Sequence, residues 1–462
     1  MKTHSIGSTP WLFVVLLSCL AVDLPRSCGG ELSAKMSTAS VSPTPELTTP
    51  ELSAAGVAGP ATYRSRHIIL HTDVPEVEAT RRLAEMEQVL HFASRYWGRS
   101  QRGTVDCYMV GNLSAWPDTA LPHSLARVWI GSIGGATIGE EVHSNGRSVR
   151  NRATIYAACG PGIVEHEVTH AYCAQTFNEM GPAWYKEGMA EVARFHLSHH
   201  RGVANTATRL RELREGEFRS VRQIVADVSF TDEMSSSMQG MVDQLSDDDT
   251  HVSVAQWTRR DQERLRDAEK TYAWSWALCH MMVYNPNYAQ RFQALGQSYL
   301  GGREDRFAQT FGHLERELDF ELAFFAERVE RGFRVDLCRW DWHQAAHRVH
   351  ARHGRSTIVQ ARRGYQSAQV RVRRGEELAY QAVGKWSVTS NDEPVTADGA
   401  AEGRGKLVGV VMHHHRLSEP FELGAAGRFV APDDGVLYLR CQDDWHAVAD
   451  NAGKVRVEFS VP

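Results

Sequence analysis

Apolar side chains recur at helical spacing over residues 75–97, where Leu83, Met86, Val89, Leu90 and Phe92 fall on or near one face. On either side of this segment the period shortens. Tyr63–Leu70, Val105–Val110, Val128–Ile133 and Thr154–Ala158 read as strands, the third followed by Gly134-Gly135. Helical periodicity returns over 162–176. Asn178–Gly181 turns the chain, and Pro182, with φ already set for a helix, opens another helix to about Leu197. Residues 272–284, 287–300, 307–311 and 314–329 continue as helices. Strands first and helices afterwards predict an α+β domain with a helical second half. Beyond residue 356 the pattern changes again. Short alternating runs at 369–372, 378–383, 407–412, 436–439 and 454–461 are separated by Gly, Asp, Asn and Pro. That predicts an all-β sandwich or jelly roll of about one hundred residues.

The chain has 462 residues, enough for two domains with real cores, and its 42% hydrophobic and 23% charged residues are those of a globular protein. Its net charge of -5 is spread along the chain, and no basic patch is interleaved with aromatics, which argues against a nucleic-acid partner. Lys2 and His4 precede an apolar stretch from Trp11 to Leu17, the order of an export signal, and the stretch is too short for a membrane span. Two readings of its end stay open: lipidation at Cys19 within Leu16-Leu17-Ser18-Cys19, or plain cleavage between Ser18 and Ser27. Either way the protein is exported, as a secreted, periplasmic or lipid-anchored surface protein with no transmembrane span when mature. The Ser, Thr, Pro and Ala of the following stretch cannot bury enough apolar surface to fold, so it reads as a spacer. The domain plan is therefore a leader at 1–27, a spacer at 28–61, an α+β domain at 62–335, an interdomain segment at 336–355 and a β-sandwich at 356–462. Eight cysteines are present, but their spacing fixes no pairing and no CxxC supports a thiolate metal site.

The segment His166-Glu167-Val168-Thr169-His170 carries the sharpest chemistry. Residues four apart on a helix lie one turn apart on one face. Two neutral imidazoles so placed can grip one Zn²⁺, and the intervening Glu167 can act as general base toward a metal-bound water. A zinc hydrolase needs a third ligand. Glu187, seventeen residues after His170 and on the next helix, can supply it across a short connection. Glu191, one turn further, can accept the other ring N–H of a ligating imidazole and fix its tautomer. The Ser235–His251 stretch, with three consecutive aspartates, reads as an exposed loop.

These residues resemble the gluzincin (HExxH…E) metallopeptidases over about 63–329. Pro182-Ala-Trp-Tyr-Lys-Glu187-Gly-Met-Ala-Glu191 is similar to that family's W-x-x-E-G-x-A-E helix, particularly in secreted bacterial proteins of the peptidase MA-like group. Thr154-Ile155-Tyr156-Ala157 before the motif helix and Tyr272-Ala-Trp-Ser-Trp-Ala-Leu later add to the likeness. The resemblance implies a thermolysin-like zincin fold, with zinc on His166, His170 and Glu187 and Glu167 as catalytic base. Tyr272 is either the donor to the developing oxyanion, since a phenol can donate there, or a packed helix tyrosine. Ile133-Gly134-Gly135-Ala136-Thr137 lacks the Glu of the aminopeptidases' G-x-M-E-N strand, which argues against that activity.

Other histidines are weighed lower. His343, His347, His350 and His353 would share a face on a helix, with no carboxylate in register, and read as solvated. His413-His414-His415 would alternate faces in a strand. His199-His200 complements a helix C-terminus. Trp274 and Trp276 read as core.

In the β domain, Asp443-Asp444 and Asp450-Asn451 put hard oxygens densely on one loop, suited to Ca²⁺ or to a solvated acidic turn. Val383-Gly384-Lys385-Trp386, Pro420-Phe-Glu-Leu-Gly424, Gly435-Val-Leu-Tyr-Leu439 and Asp450-Asn451-Ala-Gly453 resemble the PA-I galactophilic lectin. That resemblance implies calcium on the side chains of Asp443, Asp450 and Asn451 and the carbonyls of Thr389 and Ala447. The lectin's sugar-selecting His and Gln have no equivalents in 391–405. The expectation is a multidomain chain: an α+β thermolysin-like zincin domain, then an all-β lectin-like sandwich. It would hydrolyse peptide or protein substrates and carry a module for glycans or a cell surface. The alternative is a catalytically inactive peptidase scaffold that binds glycans or surfaces.

Overall fold

The computed structural model describes residues 8–11, 60–144, 147–196, 201–227, 259–303, 306–389 and 393–462. His199-His200, the 235–251 loop and most of the leader and spacer lie outside the described residues. The protein is multidomain, with mixed helix and several sheets. Two compact units divide the chain, one of 1–197, 227–272 and 296–304, the other of 198–226, 273–295 and 305–462.

The first unit is built on a six-stranded sheet. Its strands are β1 (Ser8–Trp11), β2 (Ala61–Arg64), β3 (Ile68–Thr72), β4 (Val105–Val110), β5 (Gly135–Ser144) and β6 (Arg147–Ala158), in the order β1-β5-β6-β4-β3-β2. β3, β4 and β6 run parallel, and β5 returns antiparallel along β6. On β5's other side the leader residues Ser8–Trp11 pair antiparallel with Gly139–Val142, a strand that a chain cleaved after the leader would lack. Helices α1 (Glu76–Trp97), α2 (Ala126–Ile133), α3 (Ile163–Phe177) and α4 (Ala183–Arg194) complete the unit's N-terminal part.

Two predicted strands are corrected. Tyr63–Leu70 is a hairpin, because polar Arg64–His67 turns the chain and lets Tyr63 pair with Leu70. Val128–Ile133 is helical: its β-branched residues favour a strand, but Ala126, Trp129 and Ile130 are buried at 0%, 0% and 6% exposure, and that i, i+3, i+4 set needs one helix face.

α3 is buried all round, every residue from Ile163 to Thr176 included, its titratable Glu165, His166, Glu167 and His170 among them. Asn178, at φ 60°, ends it in the left-handed conformation and donates its N–H to the Ala174 carbonyl. α4 starts after Pro182 and ends at Arg194, three residues before the expected Leu197.

The second unit holds α5 (Ala207–Glu215) and α6 (Val221–Ala226), the later part of α7 (Arg259–Tyr284), most of α8 (Ala289–Leu300), then α9 (Phe307–Phe311), α10 (Glu315–Arg328) and the sandwich. The sandwich strands are β7 (Arg355–Gln360), β8 (Gln366–Val372), β9 (Glu377–Ser387), β10 (Leu407–His413), β11 (Arg416–Leu417), β12 (Phe421–Glu422), β13 (Ala426–Val430), β14 (Gly435–Cys441) and β15 (Ala452–Ser460). One sheet has the order β11-β10-β14-β8, with β12 also on β10. The other has the order β13-β9-β15-β7. Alternate residues point inward, so Val359, Val370, Trp386, Leu437, Val455 and Phe459 meet in one core.

A separate cluster of Phe324, Trp340, Tyr365, Val410, Met412 and Tyr438 packs α10 against the sandwich. This is why the division does not follow a single cut at 336–355. Glu321 on α10 sits beside that cluster, 5% exposed. It accepts hydrogen bonds from Asn285 Nδ2 at 2.5 Å, Tyr288 Oη at 2.7 Å and Trp342 Nε1 at 2.6 Å.

Candidate metal centre

α3 and α4 are antiparallel neighbours, and their facing sides carry the motif residues. His166 Nε2 lies 2.9 Å from His170 Nε2 and 3.2 Å from Glu187 Oε2, and His170 Nε2 lies 3.4 Å from that oxygen. A tetrahedral ion with ligands at ~2.0–2.1 Å has ligand atoms about 3.3 Å apart, so the triangle has the size a zinc ion requires. No other group of three or more His, Cys, Asp or Glu side chains among the described residues meets this way. The donor set is two imidazoles and a carboxylate. His166 Nδ1 lies 2.9 Å from Glu191 Oε1; in the neutral tautomer that donates there, Nε2 turns its lone pair toward Glu187 and His170, which is the form that ligates a cation.

Titration reflects the same arrangement. Burial acts to lower the His166 pKa, but hydrogen bonds to Glu187 and Glu191 outweigh it and push it up to about 9. Burial takes His170 down to about 4. Burial opposes ionisation of Glu187, yet the charges of His170 and Lys186 and the histidine hydrogen bonds hold it well below the usual carboxylate range. Lys186 Nζ approaches Glu187 Oε1 at 3.3 Å.

Glu167 is fully buried, and burial raises its carboxyl to about 7 against the pull of His166 and the Thr137 hydroxyl. Thr137 on β5 donates to Glu167 Oε2 at 2.7 Å, while Oε1 has no hydrogen-bond partner among the described residues. Thr137 occupies the strand noted above for its missing Glu, and only the register of β5 against α3 reveals its part. Glu191 Oε1 also receives Arg194 Nη1 at 3.2 Å, and Arg194 Nη2 donates to the Pro161 carbonyl at 2.9 Å, just before α3. Gly162 has φ +77°, and a Cβ there would fall 2.1 Å from Arg194 Nε. Sequence spacing places Arg194 one turn from Glu191 on α4, but its bond to the Pro161 carbonyl depends on how α4 seats against the start of α3. The Tyr272 ring centre is 6.1 Å from that of His166; burial, then the charges of Glu187, Glu191 and Glu167, holds its hydroxyl well above the usual phenol range.

In the sandwich, Asp443 and Asn451 are buried, and Asp443 Oδ2 and Asn451 Oδ1 lack hydrogen-bond partners among the described residues. Asp450 is exposed, and Thr389 and Ala447 are half-buried. Arg404 pairs with Asp443 Oδ1 at 3.1 Å. Two orphaned buried oxygens fit a hard cation; the guanidinium competes for the same carboxylate.

His343, His347, His350 and His353 are exposed, as the solvated reading expected, but residues 343–353 form no helix: His347 bridges to Val370 on β8, and His350 bridges to His353. Of the 413–415 run only His413 is in a strand; His414 and His415 form the two-residue turn between β10 and β11. Trp274 and Trp276 are core, at 1% and 0% exposure.

No family profile and no curated protein matches the chain. A solved structure described as the EclA N-terminal domain, a PllA-like lectin, aligns with 23% of this chain and 95% of its own length, at 23% identity and a TM-score of 0.20.

Proposed function

We propose that the chain is an exported zinc metallopeptidase. The observation that supports this most is the convergence of His166, His170 and Glu187 beside a carboxylate with one unengaged oxygen. A zinc ion held there would supply Lewis acidity toward a substrate carbonyl and toward water. Glu167, oriented by Thr137 through one oxygen, takes a proton on the other and returns it to the leaving amine. Glu191 holds the His166 ring, and Tyr272 is the donor for charge developing on the substrate oxygen. The export reading rests on the leader at 1–27; no helix among the described residues is long and apolar enough to cross a membrane. Asp443, Asp450, Asn451 and the Thr389 and Ala447 carbonyls would hold calcium in a module for glycan or surface binding, the orphaned oxygens of Asp443 and Asn451 being its support.

One observation favours the second reading, a scaffold that holds metal without hydrolysis. His166, Glu167, His170, Glu187, Glu191 and Tyr272 are all 0–1% exposed, so a substrate reaches them only if the site opens. The substitution Glu167→Gln separates the readings. Peptide-library hydrolysis should fall at least ~100-fold, with one zinc per chain retained. Zinc binding without hydrolysis in the unsubstituted protein would leave the scaffold reading standing.

A further inference from the structure

The sandwich carries a cleft lined by none of the zinc or calcium candidates. It lies between residues 342–348 and β8, the β10–β11 turn and β14, with a volume of about 620 Å³, within the range that holds small organic ligands. Three guanidinium groups line it (Arg348, Arg371 and Arg373) against one carboxylate, Asp434. Arg348 is engaged by Glu376 at 3.0 Å, and Asp434 Oδ1 already accepts the Arg374 backbone N–H at 3.1 Å. Arg371, on β8, and Arg373, just past its end, are two residues apart and both exposed. Val370 and Val372 are buried on the opposite face, so both arginines project from the outer face. Neither forms an ion pair among the described residues, so both keep their donors for a ligand.

Two further features mark the same place. The Trp342 indole is half-buried, pinned by its N–H to Glu321, and lies 5.4 Å from the His415 ring, centre to centre. A fixed aromatic face beside paired cations is what recognises a ring carrying an anionic substituent. The turn at the cleft's edge is also built against local preference. His414 and His415 have φ of 48° and 61°, the left-handed conformation in which a two-residue hairpin loop favours Asn-Gly. Such outliers are kept where a site over-determines them.

We propose that this cleft binds an acidic saccharide. Arg371 and Arg373 fork onto its sulfate or carboxylate, and Trp342 lies under the sugar ring. The assignment uses neither the zinc site nor calcium, so binding is measured on the full chain with EDTA present. The probes are a sulfated heparin-derived tetrasaccharide, trigalacturonate, lactose and inorganic sulfate, by calorimetry. One of the two acidic saccharides should bind at least tenfold more tightly than both lactose and inorganic sulfate, and which one binds tells sulfate from carboxylate. R371S/R373S should lose at least tenfold of that affinity, while R428S/R456S, which removes the same charge from the other sheet, keeps it. Equal binding of lactose or of sulfate, no binding of either acid, or an equal loss in R428S/R456S would each overturn the proposal.

Discussion

A single oxygen of Glu191 receives both His166 Nδ1 and Arg194, so the imidazole is oriented by a carboxylate that is itself held in place. Partners of this kind are worth 10–100-fold in metal affinity. E191Q should therefore weaken zinc binding by about that factor in a chelator competition, and an unchanged affinity would assign Glu191 to packing alone. The His414-His415 turn has an opposite consequence. Left-handed backbone costs a side chain roughly 1–2 kcal/mol, so H414N/H415G should be more stable by about 1 kcal/mol in urea unfolding. A loss of stability would show that the two rings hold the turn. Residues such as His166, His170 and Glu187 were legible in the sequence because helical spacing and one short loop fix where they meet. Thr137 was not, since it reaches Glu167 only as β5 seats against α3, and Arg194's i, i+3 pairing with Glu191 gave no sign of its bond to the Pro161 carbonyl before α3.

Elements were legible where period and length agreed. α1, β4 and α3 lie within about a residue of their expected bounds, while α2 was misread because Val128, Ile130 and Ile133 imitate a strand over a span of only eight residues. Tertiary packing decides such short runs. At this scale α10 carries a pH-dependent contact. Burial raises the Glu321 carboxyl from 4.5 to about 7 in spite of the hydrogen bonds it accepts. A carboxyl with a raised folded pKa stabilises the fold while protonated. Its contribution is full below about pH 4.5 and is lost as pH rises through 7, with an upper size of roughly 3 kcal/mol. The difference in unfolding free energy between the unsubstituted protein and E321Q should therefore shrink or reverse between pH 5 and pH 8. A constant difference would mean that Glu321 titrates as an ordinary glutamate.

For the whole molecule, the α+β and β-sandwich content was legible from periodicity, but the grouping of elements was not. Phe324 on α10 meets Trp340 and Tyr438 through contacts far apart in sequence, and no local pattern announces them. The loop that holds Asp443 belongs to the same assembly. Trp445 lies under Arg440 at 3.7 Å and edge-on to Phe324 at 5.0 Å, and His446 pairs with Glu330 at 2.9 Å. Calcium on that loop would brace α10 as well as the sandwich. Calcium at one hundred times its dissociation constant should raise stability by about 2.7 kcal/mol, an effect removed by EGTA and absent in D443N. Identical melting curves with calcium and with EGTA would dismiss the ion.

The order β13-β9-β15-β7 places residues 452–460 inside their sheet, between β9 and β7. During synthesis β7 at 355–360 has no partner in that sheet until those residues exist. At roughly 5–20 residues per second, the wait lasts about 5–20 s. Until then Ile358 and Val383 lack the strand that separates them in the finished sheet, where Arg456 lies opposite both. The last strand to be made thus acts as the sheet's gatekeeper, setting a cation between two aliphatic side chains that remain 49% and 58% exposed in the finished protein.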